Sequence, residues 1–522
     1  MFKNLLFIIF FVLLISNTCL ANPSVDVPVR HWSYDAIEKL AIVGLCDISS
    51  IGSRPVSRVR MAYIIKDVID RSASYEEELN WSEQEYLETL IYNLIDEFRE
   101  ELVTIGVEVA SVTEVGPKKN IFNKPGLSIE KVYTSLESDR AVFENKEGWK
   151  LKDGFNLRAK LTSWAKFANF FAASLTPGVR YAAREGDTDI DIENAQIRFS
   201  HPSRNMELAI GRGSMWWGPG FHGSLLMTDN AFPLDMVRWN NVYPFRLPGW
   251  PLKKIGRFNA QFFTARLEKS RVIEHTFVTG WRLDYTPCGF LKFGFGHILM
   301  HGGKGVDKAS LADYLSAASL VFSAAGGGEE AENHIISGDI QLFIKRIDKF
   351  LPIATGAKLY TEWGGEDESR NVPINLATVT GIYLTDLLKI AGFDGKIEYA
   401  KFDKIWYTHF KYASGYTHHG NIIGHSLGGD SEEIAATSIF NFPGEYKLNA
   451  TFSRQKRGLT KALIETTNEL RIEFNMQDAL NMYNIQNIEL SFFYEFEDIT
   501  NYDNTSTKAR NHIFGLEATR RF

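Results

Sequence analysis

From about Asn120 to the C-terminus, apolar and polar positions alternate with a period of two. In "GFNLRAKLTSW", Phe155, Leu157, Ala159, Leu161 and Ser163 share one face, and Asn156, Arg158, Lys160 and Thr162 share the other. The same pattern recurs in "NAQIRFSH", "MELAIGRG", "FNAQFFTARLEK", "TFVTGWRLDYTP", "FLKFGFGHILM", "GDIQLFIKRIDK", "GAKLYTEWGG", "GKIEYAKFDK", "YKLNATFSRQK", "NELRIEFNMQ" and "NIELSFFYEFED". Each segment is roughly 8–12 residues long and is ended by Gly, Asn, Asp or Pro. That length suits a tilted strand crossing a bilayer. Alternation alone also fits a soluble sandwich. The number of segments goes beyond a sandwich and predicts a transmembrane antiparallel β-barrel of about 16–18 strands with a polar lumen over residues 120–522.

Before Asn120 the period is helical. Ala36, Ile37, Leu40, Ala41 and Val43 recur at helical spacing, as do Met61, Ala62, Ile64, Ile65, Val68 and Ile69. Ser82 with Glu85 forms a capping-box pattern, and Leu87, Leu90, Ile91, Leu94, Phe98 and Leu102 then keep one face apolar. A single amphipathic helix over about 82–105 is expected, roughly 36 Å long. The mainly β body therefore carries a small α-helical module over 22–75 and an amphipathic helix with linker over 76–119.

The first residues read as an export signal. Lys3 precedes an apolar stretch from Leu5 to Ile15, and Cys19-Leu20-Ala21 forms a small-residue cleavage site, so residues 1–21 are expected to be removed. Ser16 stands where a lipobox has leucine, so Cys19 is not read as an acylation site. Cys46 and Cys288 then remain, too few and too distant for a disulfide framework or a zinc site. The net charge of −7 offers no basic excess to neutralise phosphates, so no nucleic-acid partner is expected.

Gly424-His425-Ser426-Leu427-Gly428 matches G-x-S-x-G, the turn on which hydrolases present a nucleophilic serine. An elbow of that kind needs a buried parallel strand before the serine and a helix after it, set within β/α units. "YTHHGNII" is too polar and short for such a strand, and His512 is the only histidine that follows. A Gly-rich loop between strands is the better reading. An esterase using Ser426 ranks below two non-enzymatic readings, and no catalytic residue is assigned. His418-His419 and His425 lack a fixed-spacing ligand signature, so neither metal nor cofactor is expected.

Several stretches resemble known families. "HIFGLEATRRF" places Phe514, Leu516, Ala518 and Phe522 on one face, and an alternating final strand ending on an aromatic residue resembles an outer-membrane insertion signal. Asp26-Val27-Pro28, His31-Trp32, Tyr34, Ala36-Ile37, Leu40, Gly44, Pro55 and Ser57-Arg58 resemble a surface-layer homology (SLH) module, which binds cell-wall glycans through an arginine. The resemblance implies Arg58 and Trp32 as contacts for peptidoglycan or a wall-linked polymer. Ser57-Arg58-Val59-Arg60 lacks the glutamate of the module's signature, and one copy is present. An SLH module followed by an acidic helix and a β-rich body is also the layout of SLH-bearing porins, whose front end lies in the periplasm.

"GRGSMWWGPGFHGSLLMTDNAFP", residues 211–233, resembles the Wzi-type capsule-assembly family. Arg212, Trp216-Trp217-Gly218-Pro219-Gly220, Gly223-Ser224-Leu225, Asn230-Ala231 and Pro233 carry the match. "GYTHHGNIIGHSLGGDSEE" (Tyr416, Gly420, Gly424-His425, Gly428, Asp430) and "LYTEWGGEDE" (Tyr360, Glu362, Gly365, Asp367) follow in order. The resemblance implies an outer-membrane barrel with an obstructed lumen that holds capsular or other surface polysaccharide, delivered by the barrel assembly machinery. Indoles stack on sugar C–H faces, and charged groups bond hydroxyls or acidic groups. The expected polysaccharide contacts are Arg212, Trp216, Trp217, His222, Asp229, Asn230, Tyr416, His425 and Asp430. Trp216 and Trp217 fit equally well in the aromatic girdle at the membrane boundary. The alternative function is an SLH-bearing porin for small solutes.

Overall fold

The computed structural model describes residues 24–73, 81–108, 122–138, 144–167, 170–306, 332–369, 372–442, 446–476 and 488–521. The proposed export signal and the terminal Phe522 lie outside them. Helices α1 (Ser33–Val43), α2 (Arg58–Ser72), α3 (Trp81–Glu97) and α4 (Arg99–Thr104) precede the strands. The strands are β1 (Phe122–Leu136), β2 (Gly154–Phe167), β3 (Phe171–Ala182), β4 (Asp187–His201), β5 (Met206–Gly213), β6 (Leu234–Asn240), β7 (Arg257–Arg266), β8 (Phe277–Cys288), β9 (Leu291–His301), β10 (Asn333–Ile344), β11 (Gly356–Ser369), β12 (Val372–Thr385), β13 (Phe393–Phe402), β16 (Ser431–Phe442), β17 (Tyr446–Arg457), β18 (Glu465–Met476), β19 (Ile488–Thr500) and β20 (Lys508–Arg521), with a two-residue hairpin β14 (Thr417–His418) and β15 (Asn421–Ile422) between β13 and β16.

Apart from that hairpin, the strands form one 18-stranded sheet. Each strand pairs antiparallel with its sequence neighbours in the sheet, and β1 pairs with both β2 and β20, which closes the barrel. Closure leaves no unpaired edge, the condition for strands to cross hydrocarbon.

Burial in the barrel is inverted relative to a soluble protein. On β2, Phe155 and Leu161 are 39% and 46% exposed, whereas Asn156 and Arg158 are 1% and 2% exposed. The period-two pattern therefore puts apolar side chains toward lipid and charged ones into the lumen. Buried charges need partners. Arg158 meets Glu193 at 2.7 Å, Arg198 meets Glu207 at 2.9 Å, and Arg282 meets Asp339 at 2.6 Å, each between inward-facing side chains.

The helical module lies inside the barrel mouth at the end where β1 begins and β20 finishes. α1 ends at Gly44, whose φ of 95° lets its N–H reach back to Ala41 and Leu40. The Ser57 hydroxyl caps α2 at the Arg60 N–H, 3.1 Å away. Ile37, Leu40, Ile65, Val68, Leu94, Phe98 and Leu102 form a shared core that also takes in Phe343 and Tyr383 of the barrel. Lys39 bonds Asp386 and Asp394 at 2.8 Å each, Glu38 pairs with Lys358, and Asp26 pairs with Arg198 and Arg238. The module is thus docked into the lumen.

The expected helix over 82–105 is two helices. It begins at Trp81, so Ser82 lies within the first turn, and it breaks at Phe98 (φ −109°, ψ 21°). The break frees the Glu97 carbonyl to accept from Arg58 Nη2 at 2.6 Å while Phe98 stays buried. A tertiary contact to α2 replaces helix continuation.

Candidate functional site

Two segments fold inward from the opposite barrel end, residues 214–233 between β5 and β6 and residues 403–430 between β13 and β16. Wall carboxylates hold the first. The backbone N–H groups of Phe221, His222 and Gly223 donate to Glu398 of β13 at 2.9, 3.2 and 3.1 Å, and Tyr360 donates to the same carboxylate at 2.6 Å. Ser224 Oγ and the Leu225 N–H donate to Glu362 of β11 at 3.0 and 3.2 Å. Gly218 sits at φ 121°, and a Cβ there would run into the Ser224 hydroxyl and the Glu362 carboxylate. The Trp-Trp-Gly-Pro-Gly run is therefore a close-packed bend over two acids.

The two segments grip each other. The Thr228 N–H donates to Ile423 O at 2.9 Å, Asn230 Nδ2 to Ile422 O at 3.0 Å, and Tyr416 OH to Leu226 O at 2.9 Å. Tyr407 OH donates to Leu225 O and accepts from the His425 N–H at 2.9 Å. Burial holds the Tyr407 hydroxyl well above the usual phenol range.

Trp216 meets the helical module. Its backbone N–H and C=O pair with those of Arg54 at 2.9 Å each. The Arg30 guanidinium lies 4.3 Å over its ring and donates to both Asp229 oxygens, at 2.9 and 3.0 Å. Trp217 is fully buried, bonds Gln261 through Nε1, and packs edge-on against Phe263 at 5.3 Å. Neither indole faces lipid, which corrects the girdle reading. The family-like bend turns both inward, because its N–H groups must reach the luminal carboxylates.

Between module, loops and wall lies a cavity of about 1290 Å³. Trp216, His222 and Asp229 line it, together with Arg30, Lys146 and Lys160. His222 Nδ1 lies 3.1 Å from Glu433, and although burial alone would lower its pKa, that carboxylate lifts it to about 10.

The other expected contacts stand elsewhere. Tyr416 and His425 are fully buried, and Asn230 lies between the two segments. Arg212 pairs outside the cavity with Asp235 at 2.7 Å, and Asp430 (φ 55°) accepts from the Thr460 N–H and hydroxyl at 3.0 Å. Trp32 flanks the start of α1 and borders the cavity. Arg58 is taken up by Glu97 and Glu101 at 2.8 and 2.9 Å and lies 4.5 Å over the Phe98 ring. Its pKa is raised because these acids outweigh burial.

The G-x-S-x-G run is no elbow. Ser426 lies in an irregular loop after the β14–β15 hairpin, and the next element is strand β16 rather than a helix. The sequence reading did not single out Arg30, Arg54, Glu144, Glu398 or Glu433. An isolated acid on the polar face of a strand carries no sign of what it will meet across the lumen. Glu362 was a matching position of a family-like motif, and Glu433 closed another without being a matching position.

The family model described as "Capsule assembly protein Wzi" matches residues 130–513. A Klebsiella pneumoniae protein described as an uncharacterized 55.8 kDa protein in the cps region is 28% identical over 101 residues. That match covers 19% of this chain, and the chain spans about a fifth (20%) of the length of that curated relative. Among solved structures, Wzi of Escherichia coli, described as an outer-membrane protein involved in group 1 capsule assembly and a carbohydrate-binding β-barrel, superposes with a TM-score of 0.68 at 16% identity. The superposition covers 94% of this chain and 99% of that one.

Proposed function

The chain belongs to the Wzi capsule assembly family, and from that premise we propose that it binds capsular or another surface polysaccharide at the outer membrane, without catalysis. One observation carries the reading beyond the family: the lumen is filled by the chain's own module and loops, and what remains is a polar cavity bordered by an indole and accessible cations. Sugars are recognised by such a mixture of aromatic faces and charge-assisted donors. Arg30, Lys146 and Lys160, each beside an acid, offer donors to glycan hydroxyls, and Trp216, His222 and Asp229 add an aromatic face and further polar groups.

Trp217, Asn230, Tyr416, His425, Arg212 and Asp430 then act as loop anchors that shape the cavity. Arg58 is a tie between helices, since contact with a wall glycan would require its pairs with Glu97 and Glu101 to open. The module belongs at the periplasmic mouth. Barrels of this kind carry their longer loops outside, and residues 144–153, 214–233 and 403–430 lie at the end opposite the module.

The test is complementation of a strain lacking the chain, with cell-bound and shed capsular polysaccharide measured separately. Wild type should restore retention. Trp216→Ala and a Lys146→Gln/Lys160→Gln pair should shed polysaccharide while inserting normally, judged by heat-modifiable gel mobility. Unchanged retention with both variants inserted would remove the cavity from the binding role.

A further inference from the structure

We propose that Glu144, His222 and Glu433 form a binding site for a first-row divalent cation of the zinc class, with His425 as its fourth ligand. The ligand atoms of Glu144, His222 and Glu433 all lie within 4.8 Å of one another. His222 Nδ1 is 3.1 Å from Glu433 Oε2, close to the spacing of neighbouring ligands around a small tetrahedral ion. Two imidazoles with two carboxylates suit zinc or cobalt, whereas calcium and magnesium prefer all-oxygen sets.

His425 is the independent sign. Its side chain is completely buried, its Nε2 has no hydrogen-bond partner, and that atom lies 3.9 Å from Glu433 Oε2. A buried polar atom without a partner is costly. Gly223 makes the approach possible, because a Cβ there would collide with the His425 ring. Ligation through Nε2 places the remaining proton on Nδ1 and gives up the 3.3 Å contact from the Leu427 N–H. That long contact is the weaker of the two interactions.

The surroundings are built for orientation and entry. Gln455 Nε2 donates to Glu433 at 2.9 Å and to Glu144 at 3.3 Å, so one amide fixes both carboxylates. Glu144 and His222 line the luminal cavity, which gives the ion a route in. The four ligands come from residues 144–153, segment 214–233, segment 403–430 and the barrel wall. A bound ion would lock three loops to β16, and hence fix the floor of the cavity. A plain His222–Glu433 ion pair is the competing account, and it gives Nε2 of His425 nothing to do.

Full-length, tag-free protein in detergent, stripped with a chelator, would be titrated with Co²⁺ and followed by its visible absorption. One equivalent should give a saturating spectrum that Zn²⁺ displaces. His222→Gln should abolish it, and Gln455→Ala, which keeps all four ligands, should weaken it about 10–100-fold. If His222→Gln fails to fold, Glu144→Gln and Gln455→Ala carry the same test. Absence of a saturable spectrum in wild type, or an unchanged affinity in folded variants, would overturn the site.

Discussion

Arg30 covers Trp216: the guanidinium of the N-terminal module rests 4.3 Å above the indole and is pinned there by both oxygens of Asp229. One cation thus joins the module to the loop that borders the cavity. Asp229 is 4% exposed at its side chain, so removing Arg30 leaves a carboxylate buried without its partner.

Arg30→Ala should therefore destabilise the 214–233 segment by about 1–3 kcal/mol. The readouts are a red-shifted tryptophan emission and faster proteolysis within the segment, with the barrel itself still resistant. Arg30→Lys should recover only part, because an ammonium cannot grip a carboxylate with a two-pronged fork. Equal proteolysis of wild type and Arg30→Ala would remove the clamp from this account.

Lys39 is a buried tie between module and barrel, 3% exposed at its side chain and bonded to Asp386 and Asp394. Burial alone would lower its pKa, yet the acids keep it raised. Lys39→Met should cost about 3–5 kcal/mol, as expected when one member of a buried ion pair is removed. Its measure is a lower temperature for release of the module, followed by protease access to residues 24–107. A release temperature matching wild type would show that the pair contributes nothing.

Docking should resist mild acid. Burial pushes the pKa of Asp26 up, but Arg198 and Arg238 outweigh it and hold the carboxyl below 3.8. Burial likewise pushes Glu38 up, and Lys358 with Lys396 holds it below 4.5. Folded values below the unfolded ones give stability that is fully present above about pH 4–5 and lost as pH falls through the depressed values. Near-ultraviolet circular dichroism of the module should stay constant from pH 7 to about 5 and change only under stronger acid. A transition centred near pH 6 would contradict these pairs.

Lumen filling has an electrical consequence. In planar bilayers the intact protein should conduct far less than an open barrel of this strand number. Deletion of residues 24–107 should raise the conductance severalfold if the barrel still inserts. Large, steady conductance from the intact chain would favour the porin reading.

Ser426→Ala should leave polysaccharide retention and barrel stability unchanged. Purified wild type should show no ester hydrolysis above buffer, since Ser426 lacks the helix that builds a nucleophile elbow. Turnover that disappears in Ser426→Ala would overturn that assignment.

Much of the fold was legible along the chain. Phe155 and Leu161 against Asn156 and Arg158 announced one apolar and one polar face, and a dozen such segments required closure. Strands such as β3, β6, β12 and β16 did not stand out. "FAASLTPGVRYA" is interrupted by Pro177-Gly178, and "SEEIAATSIFNF" mixes small and polar residues on both faces. They become strands because neighbours on both sides supply the hydrogen bonds. The helix break at Phe98 was hidden for a similar reason, since its cause is Arg58 on another helix.

By itself the sequence determined the period, and with it the inside-out barrel, the helical front end and the family-like motifs, because each depends on residues near one another in the chain. Tertiary structure alone decided where those motifs point. Trp216 turns inward because the carboxylates of Glu362 and Glu398, carried on β11 and β13, hold the bend that follows it. Glu144, His222 and Glu433 lie together, and His425 beside Glu433, because barrel closure and the inward-folded loops bring together residues that the chain keeps far apart. Period is a local property of backbone geometry, whereas a site in a lumen is a meeting across it, and no local pattern encodes which side chains will meet.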